Sequence, residues 1–319
     1  MNKGSPSPKN ELQAVFPANS LQQGFIYHTL SQPLDDAYRV QTLCDYKHAI
    51  DLVLYRQAWA LAIETYPSLR TCFNWEEQPL QLVIKQGQLH FRTEDISAET
   101  DQDAAILKIQ QADRLIGFDL TKPTLLRLCL IKQSDTQFTL LKTEHHSIAD
   151  AWSAAILLNQ VHHYYEQLVA GVVPVVILDN AYLHAQAYIA KNQAAAQQHW
   201  QAAIAQVQQV NDVNPLFSTQ ADLAQLKTVT LACELNLTVA QAAYQALLRV
   251  AQVEGLTPHS LVQFAWHKLL QIYTQDLQTI VGTTISGRAI PIAGIEASVG
   301  LYINTLPLII NWNNDHSIK

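Results

Sequence analysis

The chain has 319 residues, 49% hydrophobic and 15% charged, the composition of a globular protein that can bury one large core or two lobes. Its net charge of −7 leaves no basic stripe or tail to neutralise phosphates, which excludes nucleic acid as an expected partner. No apolar run reaches membrane-spanning length, so no membrane partner is expected. Residues 1–10 lack the apolar centre of a signal peptide and read as a flexible Pro/Ser-rich leader. Cys44, Cys72, Cys129 and Cys233 show neither metal nor redox spacing and read as reduced thiols of a cytoplasmic protein.

In chain order, residues 21–30 carry helical apolar spacing, and 51–66 predict a second helix whose core stripe is Leu52, Tyr55, Ala58, Trp59 and Ala62. Tyr66-Pro67 ends it. Residues 80–85 and 88–93 alternate around Gly87 and predict a hairpin. A helix over 100–115 and strands over 124–132 and 138–142 follow, then a helix over 152–168 that stops at Gly171. The Ala/Gln-rich stretch 186–210 predicts one surface helix crossing between lobes, and 211–221 a loop. Beyond it lie a predicted strand (227–235), two helices (239–253 and 258–273, the second begun by Thr257-Pro258), a strand (279–286) and the segment around Asn304. The alternation predicts an α/β fold in two lobes.

The segment with most chemical content is Glu144-His145-His146-Ser147-Ile148-Ala149-Asp150-Ala151-Trp152-Ser153, at a strand-to-helix junction. An imidazole delivered there can be aimed rigidly into a cleft, as proton chemistry near neutral pH requires. Adjacent histidines on extended backbone point to opposite faces, so one is expected in the interior and the other in the cleft. For the same reason they converge poorly on one metal ion, and no metal is expected. Asp150 needs a partner, or it is a costly buried charge.

These residues resemble the core signature of the condensation domains of nonribosomal peptide synthetases, and further segments match that family in the same order. Pro17-Ala18-Asn19-Ser20-Leu21-Gln22-Gln23-Gly24-Phe25-Ile26-Tyr27-His28-Thr29-Leu30 is similar to its opening motif. Tyr66-Pro67-Ser68-Leu69-Arg70-Thr71-Cys72-Phe73 resembles its "LRT" segment, and Asp179-Asn180-Ala181-Tyr182 with the helix to Trp200 its "DYxxW" stretch. Val281 to Arg288 and Val299-Gly300-Leu301-Tyr302-Ile303-Asn304-Thr305-Leu306-Pro307 resemble the paired "vsgR" and "NTLP" motifs. The resemblance runs from about residue 11 to the end of the chain.

It implies two chloramphenicol-acetyltransferase-like lobes in a V with a tunnel at their junction. The corresponding division is a leader (1–10), an N-terminal lobe (11–175), and a crossover helix with a partial C-terminal lobe (176–319). Family members continue past the "NTLP" segment, so the chain is expected to be C-terminally truncated, with adjacent synthetase domains or another chain supplying the rest. The implied reaction is amide-bond condensation of a carrier-bound acyl or peptidyl thioester donor with the amine of a carrier-bound aminoacyl acceptor. The partners are then donor and acceptor peptidyl carrier proteins. The domain binds no cofactor itself, and its substrates arrive on phosphopantetheine arms.

His146 is the implied catalytic residue, as general base or as the group that positions the amine. His145, Asp150, Arg70, Trp152 and Ser153 are implied structural supports, with Arg70 pairing Asp150. Ala151, Asn304 and Arg288 are implied at the tunnel or the lobe interface. Ala151 stands where the family usually has glycine, and Ile309 where it tends to have arginine. A methyl at 151 would narrow the tunnel or forbid a positive φ. The opening motif leans toward domains that accept a D-configured donor. The alternatives are an epimerisation domain of the same superfamily, disfavoured by Trp152-Ser153, and a non-catalytic or degenerate carrier-binding module.

Overall fold

The computed structural model describes residues 12–32, 35–208, 210–217 and 235–312. The leader, Cys233 and the terminal residues 313–319 lie outside the described residues, as does all of the expected strand at 227–235 except Leu235, which is exposed and in no strand. The chain divides into two compact units, Met1–Ala194 with Ser286–Asn304, and Ala195–Ile285 with Thr305–Lys319. The first unit thus takes in residues 176–194 and 286–304, which the sequence division places with the crossover helix and the partial C-terminal lobe.

The first unit holds two sheets. One is antiparallel in the order β1-β4-β3, from β1 (Leu12–Pro17), β3 (Thr71–Asn74) and β4 (Leu80–Ile84). The other has the order β2-β7-β6-β5, from β2 (Arg39–Tyr46), β5 (His90–Asp95), β6 (Leu126–Lys132) and β7 (Phe138–His145). Strand β7 is antiparallel to both neighbours and β5 runs parallel to β6. All eight residues of β7 are buried, so the strand that ends at the paired histidines is the most enclosed of the sheet.

Helices α2 (Leu52–Thr65) and α4 (Ala151–Val169) share a core with this sheet, with Trp59, Ala62, Leu157 and Val161 in one apolar cluster with Leu126, Leu128 and Leu140. Each of the Leu and Val side chains among them contributes about 1.5–3 kcal/mol when fully buried. The opposite strand positions, Cys129, Ile131 and Leu141, pack with Ala105, Ile106 and Ile109 of α3 (Gln102–Arg114). Helix α1 (Ser20–Ser31) begins with a capping box in which Asn19 Oδ1 accepts from Gln22 N at 2.8 Å and Gln22 Oε1 accepts from Asn19 N at 2.9 Å.

In the second unit, α7 (Gln241–Val253) and α8 (Pro258–Thr274) precede the two-stranded sheet of β8 (Gln278–Ile285) and β9 (Asn304–Asn311). Thr257 caps α8 as expected, its Oγ1 accepting from Ser260 N at 3.1 Å.

Two expectations are corrected. The stretches 80–85 and 88–93 are strands, but β4 pairs with β1 and β3 whereas β5 pairs with β6, so they form no hairpin. The chain crosses between sheets at Gly87, where a Cβ would lie 2.4 Å from Ile63 Cγ2 and 2.8 Å from Arg70 Cγ. Alternation identifies a strand and not its partner. The helix expected over 186–210 is two helices, α5 (Asn180–Lys191) and α6 (Gln193–Ile204), broken at the C-cap Asn192. Helix α5 buries Ala181, Tyr182, Ala185 and Gln186, while α6 buries nothing. Strands β1, β2 and β3 are not announced by the sequence pattern.

Candidate active site

The last ladder contacts of β7 set the histidine pair. His145 stands opposite Arg39 in β2, and His146 N donates to Tyr38 O at 2.9 Å. His145 is 4% exposed, with the rings of Phe25, Tyr38 and Phe118 around it at 6.2–6.4 Å between centroids. Ser147 Oγ (2.8 Å) and Ser147 N (3.3 Å) both meet its Nδ1. A backbone N–H can only donate, so His145 Nδ1 is the acceptor and its proton sits on Nε2. Burial first, then the neighbouring His146 and Arg39, push its pKa down to about 4.

His146 is half-buried and has the opposite tautomer. Its Nδ1 lies 2.9 Å from Ala149 O, a carbonyl that can only accept. The proton is therefore on Nδ1, and Nε2 carries the free lone pair of a base or hydrogen-bond acceptor. The Phe25 ring packs beside the imidazole at 5.7 Å and 32°. The loop is held from α1, where the fully buried Gln22 donates Nε2–H to Ser147 O at 3.1 Å.

Asp150 is the N-cap of α4. Its Oδ1 accepts from Ser153 N at 2.9 Å and lies 2.7 Å from Ser153 Oγ. The same carboxylate reaches across to residues 286–304. Its Oδ2 accepts from Tyr302 N (3.0 Å) and Ile303 N (3.3 Å), and Arg288 Nη2 lies 3.4 Å from Oδ1. Arg288 also donates to Ile295 O, Ser298 O and Ser153 Oγ, with its guanidinium 4.1 Å from the Tyr302 ring centre.

The partner of Asp150 is thus Arg288, and the expected Arg70–Asp150 pair is corrected. Arg70 is buried, and its guanidinium donates to Ile63 O and Glu64 O at the end of α2, to Ile84 O and Lys85 O at the end of β4, and to Gln13 Oε1. Carbonyls left over at a helix C-terminus suit a cation with several donors. Arg70 ties the first sheet to α2 and takes no part in the histidine site.

Trp152 and Ser153 stand in the first turn of α4, as expected. Ser153 is fully buried and meets Gly300 on both sides, its Oγ accepting from Gly300 N (3.0 Å) and lying 2.8 Å from Gly300 O. Trp152 is half exposed and donates its indole N–H to Glu296 O at 3.2 Å. Ala151 is the exposed first residue of α4 and has no positive φ, so its methyl forbids nothing in the backbone. Asn304 Oδ1 accepts from Ser20 Oγ at 3.2 Å, beside the start of α1.

Sequence reasoning missed how strongly residues 298–303 organise the site. Ser68 Oγ donates to Val299 O (2.8 Å), and Asp179 Oδ2 takes Ser298 Oγ (2.5 Å) and Val299 N (3.1 Å). Gly300 is pressed onto Tyr182, where a Cβ would fall 2.4 Å from Cδ2. Gly287 has φ +67°, and a Cβ there would strike Tyr302 O at 1.8 Å. Gln22 could have been found from the Asn19-x-x-Gln22 capping signature. Among the described residues no group of His, Cys, Asp and Glu could hold a metal ion. Cys44, Cys72 and Cys129 are free, with Cys72 and Cys129 buried and their thiol pKa values pushed up to about 11.

A mixed α/β unit with a paired-histidine loop clamped through a buried aspartate to a glycine-bearing strip defines a class, and comparison with known proteins agrees. The family model described as "Condensation domain" matches residues 12–319, so the chain belongs to the condensation-domain family. It is 36% identical over 312 residues to N-(5-amino-5-carboxypentanoyl)-L-cysteinyl-D-valine synthase of Penicillium rubens, covering 95% of this chain and 8% of that protein. It is 26% identical over 313 residues to bacitracin synthase 3 of Bacillus licheniformis, covering 98% of this chain and 5% of that protein. The chain therefore spans less than a tenth of the length of these relatives. Among solved structures, the first condensation domain of the calcium-dependent antibiotic synthetase in complex with a substrate analogue aligns with a TM-score of 0.68 at 17% identity, covering 96% of this chain and 71% of that one. The starter condensation domain of rhizomide synthetase aligns with a TM-score of 0.68 at 17% identity, covering 94% of this chain and 68% of that one. These two likenesses show the fold.

Two outcomes are expected. In a double-mutant cycle read by denaturant unfolding, Arg288→Ala strands a buried carboxylate and costs about 3–5 kcal/mol, with strong coupling to Asp150→Ala. The cycle between Arg70→Ala and Asp150→Ala should be additive, and coupling there would restore the discarded pair. The second concerns pH. The unfolded imidazole of His145 binds a proton below about 6.5 and the folded one only below about 4, so stability contributed by this group is full above 6.5 and declines as pH falls through that window. The loss amounts to about 3 kcal/mol. Unfolding free energies at several pH values should show His145→Gln losing less over the window than the parent, and an identical slope would contradict the assignment.

Proposed function

We propose that this chain catalyses amide-bond formation in nonribosomal peptide synthesis, joining a carrier-bound acyl or peptidyl thioester to the amine of a carrier-bound aminoacyl acceptor. The observation that carries the reading is the tautomer of His146. Ala149 O holds the proton on Nδ1 and leaves Nε2 free on a half-buried ring, in a chain matched along nearly its whole length by the condensation-domain model.

An α-amine has a pKa of about 8 and is largely protonated at neutral pH, so the nucleophile must lose a proton. The neutral amine nitrogen attacks the thioester carbon, the tetrahedral intermediate collapses, the C–S bond breaks, and the donor's thiol leaves with a proton. His146 Nε2 accepts the amine proton during attack, or it orients the amine by accepting its hydrogen bond. Both uses require the tautomer imposed by Ala149. His145 holds the loop through Ser147, and Asp150, Ser153 and Arg288 fix the start of α4 that carries Ala149 on its preceding turn. The substrates come on phosphopantetheine arms of donor and acceptor carrier proteins, and adjacent synthetase domains are the other partners.

The experiment is amide formation with two loaded carriers, followed by mass spectrometry. Product is expected with the parent, and a rate about 10²–10⁴ lower with His146→Ala. Circular dichroism and melting of His146→Ala should match the parent, since the ring is half-buried. A folded His146→Ala protein condensing at the parental rate would end the assignment. Epimerised acceptor without amide product would replace condensation with epimerisation.

A further inference from the structure

A second site lies at the far end of α4. Glu166 follows Asp150 by roughly 24 Å along the helix axis, at 1.5 Å per residue. There the end of β2, the turn into α2 and the last turns of α4 line an open cavity of about 530 Å³ within the first unit. That volume lies within the range of small-molecule sites, about 300–1,000 Å³.

Rings dominate its wall. His48 meets Tyr46 edge-on at 5.8 Å, Tyr46 meets Tyr55 at 5.8 Å and His162 at 5.6 Å, and Tyr55 meets Tyr165 at 5.6 Å, with interplanar angles of 74–90°. The tyrosine hydroxyls are already engaged by the protein. Tyr46 Oη lies 2.9 Å from Tyr55 Oη and 2.8 Å from His162 Nε2, and Tyr165 Oη accepts from Asp51 N at 2.9 Å. Tyr46 and Tyr55 are buried, so the aromatic surface open to the cavity is that of Tyr165, His48 and His162.

The wall carries one carboxylate, Glu166, and two imidazoles, His48 and His162, of which His162 interacts electrostatically with Glu166. Glu166 is exposed at the rim and has no ion-pair partner among the described residues. No Lys or Arg lines the cavity; Lys47 is exposed next to it in sequence and is not on the wall. The last turn of α4, with Val169 and Ala170 on the wall, adds the partial negative charge of a helix C-terminus. Aromatic faces attract cations through their quadrupole, and a carboxylate at the mouth selects the same sign.

We propose that this cavity binds an organic ammonium ion with an apolar body. The ammonium lies between Glu166 and the ring of Tyr165, and the body lies against Ile50 and Val169. The site is distinct from the histidine loop and does not depend on the condensation reading.

The probe is 2-phenylethylamine, with 2-phenylethanol and phenylacetate as neutral and anionic counterparts, titrated into the chain at millimolar concentration. Binding is read by NMR at the ring protons of His48 and His162. The amine should bind about tenfold or more tightly than the alcohol, and phenylacetate not at all. Glu166→Gln should abolish the preference for the amine, and Tyr165→Leu should weaken the amine about fivefold or more at a temperature where circular dichroism shows the variant folded. Equal binding of amine and alcohol, no saturable shift with the amine, or an unchanged preference in Glu166→Gln would overturn the proposal.

Discussion

The carboxylate of Asp150 is the constraint on which the site depends. It begins one element and anchors a distant segment, because its Oδ1 caps α4 while its Oδ2 takes the backbone of Tyr302 and Ile303, some 150 residues later. A carboxylate this deeply enclosed is stable only with its lone pairs filled, and backbone N–H groups, a hydroxyl and a guanidinium fill them. The position of the residue 298–303 strip relative to the histidine loop follows from that requirement. Within the strip only position 300 lacks a side chain, because there a Cβ would collide with the Tyr182 ring.

The paired histidines then divide two tasks by tautomer. The buried ring of His145 accepts from Ser147 and holds the turn, and burial keeps it neutral. The half-buried ring of His146 donates to Ala149 O and presents a lone pair. One extended backbone step separates them, and the pleat sends them to different surroundings.

The fold class and most helices were legible because apolar periodicity and caps are local. Asp51 and Thr257 start helices where the sequence says they should. What was not legible is long-range. Arg70 and Arg288 look alike in sequence, and only the tertiary arrangement shows that α2 and β4 leave carbonyls for the first while Asp150 is left for the second. The opening, "LRT", histidine, "DYxxW" and "vsgR" segments all meet the strip at 298–304, through Ser20, Ser68, Asp150, Asp179 and Arg288. The resemblance identified the segments one by one, and their shared contact became visible in space. Lys142 and Glu144 were equally opaque: an alternating strand suggests a wet face for such residues, yet their charged ends lie 2.5 Å apart with almost no exposure.

The central claim is that the Asp150-anchored loop fixes the proton of His146 on Nδ1. Long-range ¹H–¹⁵N correlation of the imidazole at neutral pH tests it directly. The account predicts a protonated, pyrrole-like Nδ1 and an unprotonated, pyridine-like Nε2 for His146, with the reverse pattern for His145. A protonated Nε2 on neutral His146 would contradict it, since the lone pair assigned to the amine would then be turned into the loop.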